Sequence, residues 1–255
     1  MSKIKIASVS YLNSVQFTYG INESGAIDAE LILATPAECS RLLSSGEVDI
    51  ALVPVAAIPN LGIDVEVVTT HCIGAIGAVR TVVLLSDDEP STIKRIWLDT
   101  ESQTSVKLLA HLCDHHFKIT PEWHFLNDKD RLKHPEDGDA FLLIGDKVFE
   151  HEEEFEYTID LAEEWIRHTS LPFVFAVWCA AEGSDNDTIA DLEEALEWGV
   201  EHTFEALQSL RPDVDIEDGY NYLTRNIDTL LDNAKREAME KFLASGSTIT
   251  PILRQ

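Results

Sequence analysis

At 255 residues, with 45% hydrophobic and 25% charged side chains, the chain has the composition of an ordinary globular protein large enough to bury a substantial core, which excludes a disordered chain. Its 46 acidic against 19 basic residues leave a formal net charge of −27, a field that repels nucleic-acid phosphates and anionic membrane surfaces, so neither is expected as a partner. The same field does not steer an anionic ligand inward, so any anion site has to be local, built from backbone N–H groups, hydroxyls and an arginine.

The opening MSKIKIASVSYLN holds no apolar segment of signal-peptide length, and no apolar run later in the chain is long enough to span a bilayer, so a cytoplasmic location is expected. Lys3 to Val9 alternates polar and apolar residues as a strand does and runs into the polar loop Ser10-Tyr11-Leu12-Asn13-Ser14. Residues 30–33 read as a second strand. Thr35-Pro36-Ala37-Glu38 reads as a helix start, with an N-cap hydroxyl, proline at the first helical position and an acid in the first turn, and the helix stops near Gly46. The continuous apolar run at residues 49–55 predicts a strand buried on both faces, which completes a βαβ unit. Further strands are expected at 65–69 and 79–85, the second leading toward a new lobe.

A second α/β set follows, with strands at 96–98, 123–125 and 140–144, the last ending in Gly145-Asp146, and a helix over 104–117. Residues 171–178 form a strong strand that leads back to the first lobe. From Thr188 to Leu210 a stripe of Ile189, Leu192, Leu196, Val200, Phe204 and Leu207 predicts one long helix, and Tyr222, Leu223, Ile227, Leu230 and Leu231 continue the helical pattern toward Phe242. The acidic run from Glu150 to Glu156 reads as solvated surface. Cys39, Cys72, Cys113 and Cys179 show no C-x-x-C pairing and read as buried small hydrophobes in a reducing compartment.

Chemistry is best placed at Asp99-Thr100-Glu101-Ser102-Gln103-Thr104-Ser105-Val106, a hydroxyl-rich loop between a strand and a helix start. There free N–H groups and the helix dipole bind a carboxylate or phosphate, although simple N-capping is an equal reading. In the loop at 10–14, Ser10 and Asn13 are ligand candidates or members of a local turn. Gly74 to Thr81 offers glycines for close backbone approach and Arg80 for a carboxylate, a weaker signal. Gly145-Asp146 ends a buried strand, the edge of an α/β sheet where ligands lie, though an aspartate there is often structural. His111, His115 and His116 read as a solvated helix face in preference to a metal site, since no H-E-x-x-H pattern accompanies them. Nucleophile-elbow, P-loop and dinucleotide-binding glycine motifs are missing from the sequence.

Taken in order, Val9-Ser10-Tyr11-Leu12-Asn13-Ser14, the block at 46–55, Leu98-Asp99 with Ser102-Gln103-Thr104-Ser105-Val106, Leu143-Ile144-Gly145-Asp146 and the block at 171–178 resemble the menaquinone-biosynthesis chorismate dehydratases. The resemblance implies an α/β, two-lobed fold like the type II periplasmic binding proteins with a helical C-terminal segment. Residues 1–85 plus 178–255 would form one lobe and 86–177 the other, with a ligand cleft between them and hinges near 85–90 and 171–178. It implies a hydro-lyase that removes water from chorismate to give 3-[(1-carboxyvinyl)oxy]benzoate in the futalosine route, with a small-molecule substrate and neither cofactor nor metal. On the family pattern Asn13 is the catalytic residue beside the reacting ring. Thr81 contacts substrate where relatives more often carry serine, Ser102, Thr104 and Ser105 hold a carboxylate, Ser10 assists, and Gln103, Gly145 and Asp146 complete the substrate-binding set. Gln16 stands where relatives more often have proline. The rival readings are a small-anion binding or sensing protein without catalysis, and the related naphthoate synthase of the same pathway.

Overall fold

The computed structural model describes residues 3–99, 101–127 and 129–246. Strand β1 (Ile4–Val9) passes through a 3-10 turn (Leu12–Ser14) into α1 (Val15–Glu23), β2 (Ala29–Ala34), α2 (Pro36–Ser44), β3 (Ile50–Pro54) and the long β4 (Val65–Ala75). Then come β5 (Val82–Ser86), β6 (Arg95–Leu98), α3 (Gln103–Leu112), β7 (Glu122–Phe125), β8 (Asp139–Ile144), the short α4 (Val148–His151), β9 (Tyr157–Asp160) and α5 (Leu161–Thr169). The chain closes with β10 (Phe173–Ala181), α6 (Asn186–Glu201), α7 (Thr203–Leu210), α8 (Ile216–Asn221), β11 (Asp228–Leu230) and α9 (Asn233–Ala244).

Two mixed sheets result, ordered β11-β4-β10-β3-β1-β2 and β7-β6-β8-β5-β9. In the first, β1 runs parallel to β2 and β3, while β10 lies antiparallel between β3 and β4. In the second, β6 runs parallel to β7 and β8, and β5 is antiparallel to β8 and β9. The inner strands β3, β5 and β8 are buried at every position, which is why, apart from Ser86 at the end of β5 and Asp139 at the start of β8, their sequences are apolar without alternation. Helix α2 begins as its sequence predicts, with the Thr35 hydroxyl accepting from the Glu38 N–H at 3.3 Å and Pro36 in the first turn. One apolar core runs through both lobes, and a smaller one, with Val83, Leu85, Phe141 and Leu143, covers the other face of the second sheet.

Several expectations need correcting. Lobe boundaries at 85/86 and 177/178 fall inside strands that each belong wholly to one sheet: β5 is in the second and β10 in the first. The passages between lobes are therefore residues 76–81 and 170–172, not 85–90 and 171–178. Each passage turns through a non-glycine residue in the left-handed region, Arg80 at φ 67° and Ser170 at φ 60°. The long C-terminal helix is two helices broken at His202 (ψ 35°), whose Nδ1 lies 2.8 Å from the Trp198 carbonyl oxygen. Phe204, expected in the buried stripe, is 46% exposed. Beyond Asn226 the helical pattern gives way to β11, which pairs with the edge of β4. The helix expected over 104–117 is α-helical to Leu112 and then widens into a π turn over Cys113–Phe117. His111 on that helix is buried rather than solvated, at 9% exposure against Trp165 and His168. The four cysteines are free and buried.

Candidate functional site

The site lies where the C-terminal ends of β1, β3 and β8 and the first turn of α3 converge on the passage between the lobes. These elements, with β4 and β10, wall a narrow cleft open to solvent at its mouth. Its floor is apolar: Val9, Pro36, Pro54, Ile73, Val79, Val82, Ile144 and Phe175. Polar groups reach it at few points, which are Tyr11, Asn13, Thr81, Ser102 and Ser105. Such a pattern binds a small organic molecule by shape and orients it by a few fixed polar contacts.

Of the residues singled out in the sequence, the structure brings Asn13, Thr81, Ser102, Ser105 and Gly145 to this wall. Asn13 sits in the 3-10 turn after β1, and its Oδ1 is buried with no hydrogen-bond partner. Thr81, 1% exposed, shares a 2.7 Å hydrogen bond with the Tyr222 hydroxyl. Ser102 is the N-cap of α3: its Oγ accepts from the Ser105 N–H at 3.3 Å and from the Ser105 hydroxyl at 3.2 Å. Capping thus leaves the amides of Gln103 and Thr104 in the same first turn without an intrahelical carbonyl to bind. Gly145 takes φ 71° and donates its N–H to the Thr81 carbonyl at 2.9 Å, and a Cβ there would come within 3.2 Å of the Tyr11 ring.

Four others are not on the wall. Ser10 and the Gln103 side chain are exposed. The Thr104 hydroxyl is buried and accepts from the Ala56 N–H at 3.1 Å, tying α3 to the first lobe. Asp146 spends both carboxylate oxygens on protein groups, the Leu12 N–H and Arg211. Arg80 does not supply the carboxylate partner expected of it. Its N–H donates to Asp160 at 2.6 Å, while its guanidinium pairs with Glu152 at 3.0 Å and lies over the Phe149 ring in an adjoining cavity. Thr100 lies outside the described residues. Gln16 turns away from the cleft: it is buried and donates to the Thr203 hydroxyl at 2.6 Å.

Sequence reasoning missed Tyr11 and Tyr222. Tyr11 lay inside a quoted block, but nothing local shows that its hydroxyl donates to Glu101 across the cleft. Tyr222 looked like core, and it is core, except for the one hydroxyl that fixes Thr81. Burial and the neighbouring Glu101 push the Tyr11 phenol above its ordinary value, and burial does the same to Tyr222, so both phenols are neutral at physiological pH. Lys147 binds Glu101 at 3.0 Å and pairs with Asp99. Burial opposes its charge, but these two carboxylates outweigh burial and hold its pKa above the usual lysine value. No group of three or more metal-ligating side chains was found among the described residues.

Two sheets bridged by two passages, with a cleft between them, define a protein of the periplasmic-binding-protein fold class. A protein from Archaeoglobus fulgidus superposes with a TM-score of 0.75 at 14% identity, covering 95% of this chain and 96% of that one. A Candida albicans protein described as exhibiting the generic periplasmic binding protein fold superposes at 0.64 and 16% identity, covering 100% and 99%. The periplasmic aliphatic sulphonate binding protein of Escherichia coli does so at 0.57 and 11%, covering 100% and 94%. At such identities the likeness is one of fold alone. Within that class the chain belongs to the menaquinone biosynthesis family, whose sequence profile matches residues 4–247. It is 31% identical over 162 residues to the chorismate dehydratase of Thermus thermophilus, a match covering 57% of this chain and 59% of that protein's length. No helix among the described residues is long and apolar enough to cross a membrane.

Proposed function

We propose that the protein is a chorismate dehydratase, removing water from chorismate to give 3-[(1-carboxyvinyl)oxy]benzoate for menaquinone biosynthesis by the futalosine route. The observation that carries this reading is the unpartnered, buried Asn13 amide oxygen at an apolar cleft, in a chain of the menaquinone biosynthesis family. Chorismate carries a ring hydroxyl and a neighbouring C–H on a cyclohexadiene. Loss of both makes a benzene ring, so aromatisation drives the reaction and no electrons are exchanged with a cofactor. The protein's tasks are to hold two carboxylates, polarise the departing hydroxyl and let one proton leave.

In this reading the first turn of α3, with Ser102 and Ser105, binds a carboxylate through backbone amides and hydroxyls. Asn13 sits beside the reacting ring, where its amide engages the departing hydroxyl, and Thr81, oriented by Tyr222, contacts the substrate. The described lining residues include no carboxylate or imidazole, so the substrate's own carboxylate takes the proton.

The test is to incubate purified protein with chorismate and follow the ultraviolet spectrum and the product mass. Loss of the diene band with a product lighter by one water is expected. Unchanged chorismate, on protein shown to be folded, overturns the reading. A second reading draws on the likeness to a sulphonate binding protein, in which the cleft binds a small anion without changing it. Tight binding of chorismate without turnover would establish that one, and turnover of cyclic futalosine would point instead to the naphthoate synthase.

A further inference from the structure

Asp146 lies in the turn Gly145–Lys147 at the end of β8, in the second lobe, yet both of its carboxylate oxygens are taken by the first lobe. Its Oδ1 accepts from the Leu12 N–H at 2.9 Å, and Leu12 immediately precedes Asn13. Its Oδ2 accepts from Arg211 Nη1 at 2.7 Å, and Arg211 is itself braced by Asp213 at 3.0 Å. The other contacts of the Asn13 turn sort into two groups. Ser14 donates to the carbonyls of Val9 and Tyr11 at 2.6 and 3.0 Å, which shapes the turn from within but does not fix it against the second lobe. Tyr11 meets the second lobe through its ring over Gly145 and its hydroxyl on Glu101, by a longer and more rotatable side chain.

We infer that Asp146 is a positioning residue that clasps the Asn13 turn from the opposite lobe, so that the amide is held toward the cleft only while the two lobes are together. A carboxylate bonded to a backbone N–H fixes the main chain itself, and the bond is charge-assisted and only partly exposed to water. Arg211 keeps the carboxylate from swinging to solvent. Assembly of the site is thereby tied to lobe closure, which guards the reacting ring from water. This inference rests on the reading that Asn13 acts on the substrate.

Two readouts on the full chain test it. In Asp146→Ala, amide hydrogen exchange over residues 10–16 should quicken roughly tenfold or more, as a loop released from its clasp does, with the inner strands unchanged. With chorismate, kcat should fall roughly tenfold or more and KM should move far less, as loss of a positioned group predicts. Asp146→Asn, which keeps an acceptor for the Leu12 N–H but loses the charge and the Arg211 pair, should regain part of the loss. Unaltered exchange in Asp146→Ala overturns the clasp, as does unaltered kcat per folded molecule or an equal loss in both variants. A wild-type protein that does not turn over chorismate sinks the dehydratase reading instead, and hydrogen exchange then decides the clasp alone.

Discussion

A buried amide oxygen without a partner costs about 1–3 kcal/mol, and the Asn13 Oδ1 has none among the described residues, so a donor on the proposed substrate would relieve that cost. Replacing Asn13 by Ala removes the cost and the contact together. Thermal stability should hold or rise, while turnover of chorismate should fall by roughly a hundredfold or more, the usual loss for a polar group aimed at a reacting oxygen. Near-normal kcat/KM in Asn13→Ala would remove Asn13 from the mechanism. Tyr222 calls for the opposite experiment. Its hydroxyl is the partner of Thr81, and both residues are about 1% exposed, so Tyr222→Phe leaves the threonine hydroxyl unpaired. Urea denaturation should show a loss of about 1–2 kcal/mol, and an unchanged midpoint would mean that the pair contributes nothing. At this scale the sequence was informative where a loop follows a strand: Asn13, Thr81, Ser102, Ser105 and Gly145 meet at one cleft. It was silent on direction. Arg80 looks like an anion partner in the chain, but a left-handed backbone and the N–H bond to Asp160 turn its guanidinium toward Glu152 and Phe149.

Helix α1 is set against α6 at two facing glycines. A Cβ on Gly20 would stand 2.0 Å from the Ala195 carbonyl oxygen, and one on Gly199 would stand 2.2 Å from that of Gln16. Gly199→Ala should therefore cost about 2–3 kcal/mol by forcing the helices apart, despite alanine's better helix propensity, and a gain in stability would refute the close approach. The contact between α3 and α5 makes a prediction in pH. His111 is buried, and burial first, then the charges of His115 and His168, bring its pKa down to about 4. Lys241 acts in the same direction and Asp114 against it. Because the folded-state value lies below the unfolded value of about 6.5, the unfolded chain binds the proton more readily. The neutral ring's contribution is intact above pH 6.5 and is lost as pH falls toward 4, a change on the order of 2–3 kcal/mol. Melting temperatures of His111→Phe should fall less steeply over that range than those of the wild type, and parallel curves would show that His111 does not carry the effect. These packing facts explain what was hard to read. The apolar strands announced themselves, but α1, directly after the loop read at 10–14, was assigned no element, and β9 with α5 followed an acidic surface run. The apolar spacing runs on past the break at His202 in sequence, so periodicity alone joined α6 to α7, although Phe204 just beyond the break is exposed.

At the scale of the whole molecule, two lobes were visible in the order of strands and helices, while the passages between them were misplaced because β5 and β10 are as apolar as the strands they lie beside. Charge acts at this scale too. A chain with a net charge of −27 would oppose the approach of chorismate, the proposed dianionic substrate, and no cationic side chain lines the cleft among its described residues. At about 10 mM salt the Debye length is about 30 Å, so the field of the whole surface reaches an approaching ligand, whereas at about 0.15 M it is about 8 Å and most of that repulsion is screened. The contacts proposed to hold a carboxylate, the α3 amides and the hydroxyls of Ser102 and Ser105, would act at hydrogen-bond range and be little affected by the same salt. Raising sodium chloride over this interval should therefore increase kcat/KM for chorismate by roughly twofold or more, with kcat nearly constant, the reverse of the dependence seen when a basic surface steers an anion inward. A decrease would mean that the cations flanking the cleft, Lys147 and Arg211, govern approach in spite of the carboxylates that pair with them.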